Sequence, residues 1–173
     1  MGLANDAGGN MNQRLSILQN MPIFGGIRED ILEFILKTAE MVTIAAGEYF
    51  FHEHDAGNSL FVLEHGRAAV TKAWNGREYI LTELHDGDCF GEMALIDFGP
   101  RTASVVALDA CTAIKLSCGN ILGIYKQDVE QFTMIQMNMG REVSRRLRKM
   151  DEQSFYVRVE ANELPIRSSL TLA

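Results

Sequence analysis

The spacing of apolar positions along this chain changes period twice. Between Ile27 and Ala39 they recur at Ile27, Ile31, Ile35 and Ala39, which predicts an amphipathic helix, and Glu29 and Asp30 stand in its first turn, where the helix dipole favours acids. Upstream, residues 1–11 are rich in Gly, Asn and Ala and offer little to bury. They predict a flexible tail, followed by a short helix from near Asn12 that Pro22 interrupts. After Glu40 the period shortens, and runs of β-branched and aromatic residues alternate with turn residues at Ala46-Gly47, Asp55 to Asn58, Asn75-Gly76 and Asp86 to Asp88. Asn75-Gly76, between Ala68–Ala73 and Glu78–Leu84, predicts a tight type I′ hairpin, whose central residues must tolerate positive φ. With Ser104–Ala107 and Thr112–Leu116 the count reaches about seven or eight strands, which favours a closed or double-sheet antiparallel barrel.

The last third returns to helical spacing. Phe132, Ile135, Met139, Val143, Leu147 and Met150 form one stripe over about five turns. That is longer than a helix on a small barrel can bury, so part of it is expected to pair with a second copy, giving a homodimer, or to meet another protein. Arg141, Arg145, Arg146, Arg148 and Lys149 cluster near its C-terminal end and read as a solvated face rather than a nucleic-acid patch. Residues 154–173, with Pro165, read as a tail.

Composition narrows the class. At 173 residues, with 47% hydrophobic and 23% charged positions, there is room for one core, and disordered or fibrous classes are excluded. Twenty-three acids against 16 Lys plus Arg leave a charge of −7, which repels phosphate backbones and anionic lipid, so neither nucleic acid nor a membrane is an expected partner. No apolar stretch approaches the roughly 20 residues of a bilayer span, and residues 1–10 lack a secretory leader's pattern. Three cysteines, Cys89, Cys111 and Cys118, form no CxxC pair and suit a reducing compartment. The expectation is a soluble cytoplasmic protein.

The chemistry concentrates in Phe90 to Ala107, FGEMALIDFGPRTASVVA. A strand ends at Phe90-Gly91, a helical turn opens at Glu92, and Arg101-Thr102-Ala103 leads into the next strand. Free amides at the turn attract an anion, Gly91 lets a ligand approach the backbone, and Arg101 brings a permanently charged fork suited to phosphate. Glu92 would repel phosphate but accepts well from a sugar hydroxyl. Together these groups describe a sugar phosphate with one free hydroxyl.

This run resembles the phosphate-binding cassette of the cyclic nucleotide-binding domain family, of catabolite-activator and protein kinase A regulatory-subunit type, which reads approximately FGE-x-ALL or ALI, a short loop, then PR-T/S/A-A. Phe90, Gly91, Glu92, Ala94, Leu95, Pro100, Arg101, Thr102 and Ala103 carry the match. Outside it the likeness runs from about Met21 to Glu152, through Met21-Pro22-Ile23-Phe24, Leu60 to Leu63 with Gly66, Asp86-Gly87-Asp88, and Arg145 to Arg148. The resemblance implies an α+β fold: an antiparallel β-roll (jelly-roll, double-stranded β-helix) of eight strands at 41–117, with N-terminal helices at 12–40, the cassette at 90–103 and long C-terminal helices at 118–153. It further implies no catalysis, Arg101 on the cyclic phosphate, Glu92 on the ribose 2′-hydroxyl, and the amides of Met93 and Ala94 completing the anion site. Val70, Leu81 and Thr82 would line the ribose and base side.

Other readings compete. His54 stands where many members carry glycine, and Gly47 with His52-Glu53-His54 partly resembles the metal motif of cupins, although the expected downstream glutamate is replaced by Asn58-Ser59. A structural role for both histidines is the default. A transcription factor would need about 60 to 80 further residues for a helix-turn-helix, whereas some twenty follow Gln153. The expectation is therefore a stand-alone sensor whose C-terminal helices rearrange to signal to an unidentified effector protein. For the ligand, a hydroxyl at Thr102 and an acid at Asp151 could meet guanine, yet Asp151 could equally accept from the adenine 6-amino group. The expected ligand is cAMP, with cGMP the alternative, and no further cofactor.

Overall fold

The structure, a computed structural model, describes residues 6–161. Of the expected tails at 1–11 and 154–173, residues 1–5 and 162–173 lie outside the described residues, and 6–11 and 154–160 are helical instead. The chain runs through helix α1 (Asp6–Asn20), a 3-10 turn at Pro22–Phe24 and helix α2 (Glu29–Thr38). Eight strands follow, β1 (Glu40–Ile44), β2 (Tyr49–Phe51), β3 (Ser59–His65), β4 (Ala68–Trp74), β5 (Arg77–Leu84), β6 (Cys89–Phe90), β7 (Ser104–Ala107) and β8 (Cys111–Ser117). A short turn of helix, α3 (Met93–Ile96), sits between β6 and β7, and helices α4 (Cys118–Gln127) and α5 (Val129–Glu160) close the chain.

The strands form two four-stranded sheets, ordered β1-β8-β3-β6 and β2-β7-β4-β5, with every pairing antiparallel. This is the expected β-roll. The hairpin at Asn75-Gly76 forms with both residues at positive φ, 50° and 73°. Side-chain alternation divides the core in two. Phe61, Leu63, Phe90, Val105 and Ala113 fill the space between the sheets, while Leu60, Val62, Ile114 and Leu116, from the same strands β3 and β8, face outward into a second core with the helices. That is why β3 reads as an unbroken apolar run. Ile31 and Ile35 of α2 and Ile135 and Met139 of α5 are fully buried in this second core.

Three helix boundaries differ from the sequence reading. α1 begins at Asp6, ahead of Asn12, because Leu15 and Leu18 are buried and dock it. α2 starts at Glu29, leaving Ile27 buried in the preceding turn. α5 continues to Glu160, past the expected end at Gln153. Its start is capped by Asp128, whose carboxylate accepts from the Gln131 amide, and α4 opens on a Ser117–Asn120 capping box. Among the described residues no helix is long and apolar enough to cross a membrane.

Candidate functional site: a cavity between the cassette and the last helix

The segment between β6 and β7 folds back on itself around one glycine and one arginine. Gly91 has φ +80°, and a Cβ there would lie 2.6 Å from Arg101 Nη1 and 3.2 Å from the Ser59 carbonyl oxygen, so both backbone conformation and space demand glycine. α3 starts two residues later. The amides of Met93 and Ala94 open it and have no carbonyl one helical turn earlier to bond.

Arg101 is clamped at its backbone by the turn after β2: its amide donates to the Asp55 carbonyl at 2.9 Å, and its carbonyl accepts from the His54 amide at 2.9 Å. His54 reaches this position at φ 72°, a left-handed conformation that glycine adopts with less strain. The Arg101 side chain is 5% exposed. Nη1 donates to the Gly91 carbonyl at 2.8 Å, Nη2 donates to the Ser59 carbonyl at 2.8 Å and to Ser59 Oγ at 3.2 Å, and Cζ stacks 4.0 Å from the Phe51 ring centroid. Nε is buried with no acceptor among the described residues. Burial pulls the guanidinium below its ordinary value, against the nearby charges of Asp55 and Glu92. It is thus a buried cation bonded to carbonyls and a hydroxyl, with no carboxylate on it among the described residues.

Glu92 does not pair with Arg101. It is 1% exposed and takes Arg146 Nη1 of α5 on Oε1 at 2.6 Å. The same guanidinium donates from Nη2 to the Cys89 carbonyl at 3.0 Å and from Nε to Glu142 Oε1 at 3.3 Å. Cys89 itself is buried, and desolvation pushes its thiol up, which makes it a spacer rather than a nucleophile.

These groups border a cavity of about 720 Å³. Phe90 to Ala94 and Pro100 to Ala103 form one wall, Val70, Leu81 and Thr82 another, and Glu142, Arg145, Arg146, Lys149, Met150 and Gln153 of α5 a third. Every expected site residue lines it except Asp151. That residue follows Met150 and so lies about 100° further round the helix, on its exposed side. The α5 wall was missed in the sequence. Glu142, Arg146, Lys149 and Gln153 are spaced by three and four, which marks one face, but a row of charges at that spacing is equally a solvated face.

The histidine pair has a different fate. The His52 ring packs 4.2 Å from the Tyr49 ring, and the His54 side chain is 82% exposed. Among the described residues no group of three or more His, Cys, Asp or Glu could hold a metal ion.

Comparison with known proteins follows the same lines. The cyclic AMP receptor protein of Thermus thermophilus is 26% identical over 135 residues, covering 78% of this chain and 61% of its own length. The cGMP-dependent protein kinase, isozyme 1, of Drosophila melanogaster is 34% identical over 97 residues, covering 54% of this chain and 13% of the kinase. The chain therefore spans only part of either relative. A crystal structure of a cyclic nucleotide-binding domain from Methylobacillus flagellatus superposes with a TM-score of 0.73 over 95% of this chain and 88% of that one, at 19% identity, a likeness of fold. The profile of the cyclic nucleotide-binding domain matches residues 41–128, just over half of the sequence. The chain belongs to the cyclic nucleotide-binding domain family.

Proposed function

We propose that this protein is a cAMP sensor that binds the nucleotide in the cavity between cassette and α5 without turning it over. The observation that carries this reading is Arg101: a buried guanidinium that among the described residues has no ion-paired carboxylate and an unpartnered Nε, on the same cavity wall as the amides of Met93 and Ala94 that open α3. A buried cation in this state gains most from an anion that accepts Nε and those amides together, and a cyclic phosphodiester does so. Glu92 keeps one carboxylate oxygen on Arg146 and offers its remaining acceptor capacity to the ribose 2′-hydroxyl.

Adenine is supported over guanine by the breadth of the match, wider to the cyclic AMP receptor protein than to the cGMP-dependent kinase. Val70, Leu81 and Met150 add apolar wall, against which adenine strands fewer polar groups than guanine does. The position of Thr102 on the cavity wall, directly after Arg101, favours cGMP and keeps it as the second reading. Signalling runs through α5. A ligand that engages Glu92 shares that carboxylate with Arg146 and so alters the hold of the roll on the helix, which is presented to an effector protein. The exposed stripe of Leu147, Met150 and Val157 supports a homodimer through the same helix. A reducing cytoplasm suits three cysteines that are all free.

Calorimetric titration with cAMP and cGMP, followed by recovery of the nucleotide, tests this. The expected result is one equivalent bound per chain, cAMP tighter, and the nucleotide recovered intact. Binding of cGMP at least tenfold tighter, about 1.4 kcal/mol, would reverse the ligand assignment. Hydrolysis, or no heat with either, would remove the sensor reading.

A further inference from the structure

Arg146 reaches from α5 across to Glu92, its Nη1 2.6 Å from Glu92 Oε1. The Arg146 side chain is 45% exposed, and a long, half-exposed side chain loses rotamer freedom when it docks. Two of its nitrogens face the roll, Nη1 on Glu92 and Nη2 on the Cys89 carbonyl, while the third, Nε, bonds Glu142 Oε1 at 3.3 Å. Glu142 lies one turn earlier on the same helix, its side chain only 18% exposed; Arg145 Nη2 stands 2.8 Å from its other oxygen as an ion pair, but that buried oxygen has no hydrogen-bond donor among the described residues. Glu142 is therefore held by one hydrogen bond from Arg146 and by the charge of Arg145, on the α5 wall of the cavity.

We propose that Glu142 is a positioning residue for nucleotide affinity: it fixes the Arg146 guanidinium at the angle that orients the Glu92 carboxylate for the ribose 2′-hydroxyl. The proposal rests on the sensor reading above. Its physical content is a relay of one carboxylate, one planar fork and a second carboxylate. The fork is rigid, so an acceptor on Nε sets where both Nη atoms point. An amide oxygen at position 142 preserves that acceptor, and a methyl group does not.

The test titrates wild type, Glu142→Gln and Glu142→Ala with cAMP and with its 2′-deoxy analogue, and records a melting curve for each. Loss of one such hydrogen bond predicts about tenfold weaker cAMP binding for Glu142→Ala, near-wild-type binding for Glu142→Gln, and less than about a twofold change for either variant with the 2′-deoxy nucleotide. A merely structural role would weaken both nucleotides alike. Equal losses for the two, or undiminished cAMP binding by a folded Glu142→Ala, would overturn the positioning role while leaving the sensor reading intact. Failure of the wild type to bind either nucleotide would overturn both.

Discussion

Arg101 donates to two carbonyls and keeps Nε without an acceptor among the described residues, so its substitution is expected to have two separable effects. Arg101→Ala is expected to weaken cAMP binding by about 2 to 5 kcal/mol, because the phosphate enters a pocket without its countercharge. It also leaves the Ser59 and Gly91 carbonyls without a donor that they now share. Arg101→Lys separates the two effects, since it keeps the charge but cannot serve two carbonyls and a phosphate from one ammonium. Calorimetry should place its affinity between wild type and Arg101→Ala, and equal affinity in all three would remove the phosphate assignment. At Gly91 the strain is local: an alanine must adopt φ near +80° with its Cβ against Arg101 Nη1. Gly91→Ala is expected to lower stability in urea unfolding by about 1 to 3 kcal/mol and to weaken nucleotide binding as well. Full stability and affinity in that variant would mean that the cassette turn has more freedom than its contacts indicate.

Within α5 the two halves are held differently. Before Gly140, Ile135 and Met139 are buried, and Asn138, 6% exposed, donates to the Ile23 carbonyl at 3.3 Å and the Gly25 carbonyl at 2.8 Å. Beyond Gly140 the helix is mostly exposed, and Arg146 bonds it to the roll. Asn138→Leu strands both carbonyls and should cost about 1 to 3 kcal/mol in urea unfolding; a neutral result would show that water replaces the amide. The cap of the helix sets an acid limb. The Gln131 amide and the Arg28 side chain hold the Asp128 carboxyl below the usual carboxylate range. Its contribution is therefore complete above the unfolded-state value of about 3.9 and is lost as the pH falls through the depressed folded value. Stability against pH for Asp128→Asn should lack that part of the acid decline, and an unchanged acid limb would place it elsewhere. The elements most legible in the sequence were those with local signals: the Asn75-Gly76 hairpin, the strand Ser104–Ala107, and the FGE and PRTA runs that bring Glu92 and Arg101 to one cavity. The α5 wall was not legible, because charges spaced for a cavity wall and for solvent look alike until the partner Glu92 is placed. The run to Glu160 was missed for a related reason: Phe155, Tyr156, Val157 and Val159 crowd all sides of the helix and break the stripe.

At the scale of the molecule, the roll presents a preformed cavity, and the exposed half of α5 is the surface on which binding could be read by another chain. Leu147, Met150 and Val157 are each more than half exposed, and burying them between two copies recovers roughly 25 cal/mol per Å² of apolar surface. Sedimentation should show a concentration-dependent dimer for wild type and a monomer for Leu147→Glu. A wild type that stays monomeric at every concentration, with and without cAMP, would assign the stripe to a different partner. The most direct measurement is a crystal structure of the protein grown with cAMP. The expected result places the cyclic phosphate within hydrogen-bond reach of Arg101 Nε and the Met93 and Ala94 amides, with the ribose 2′-hydroxyl on Glu92. A nucleotide bound elsewhere, or one in this cavity whose phosphate avoids Arg101, would contradict it.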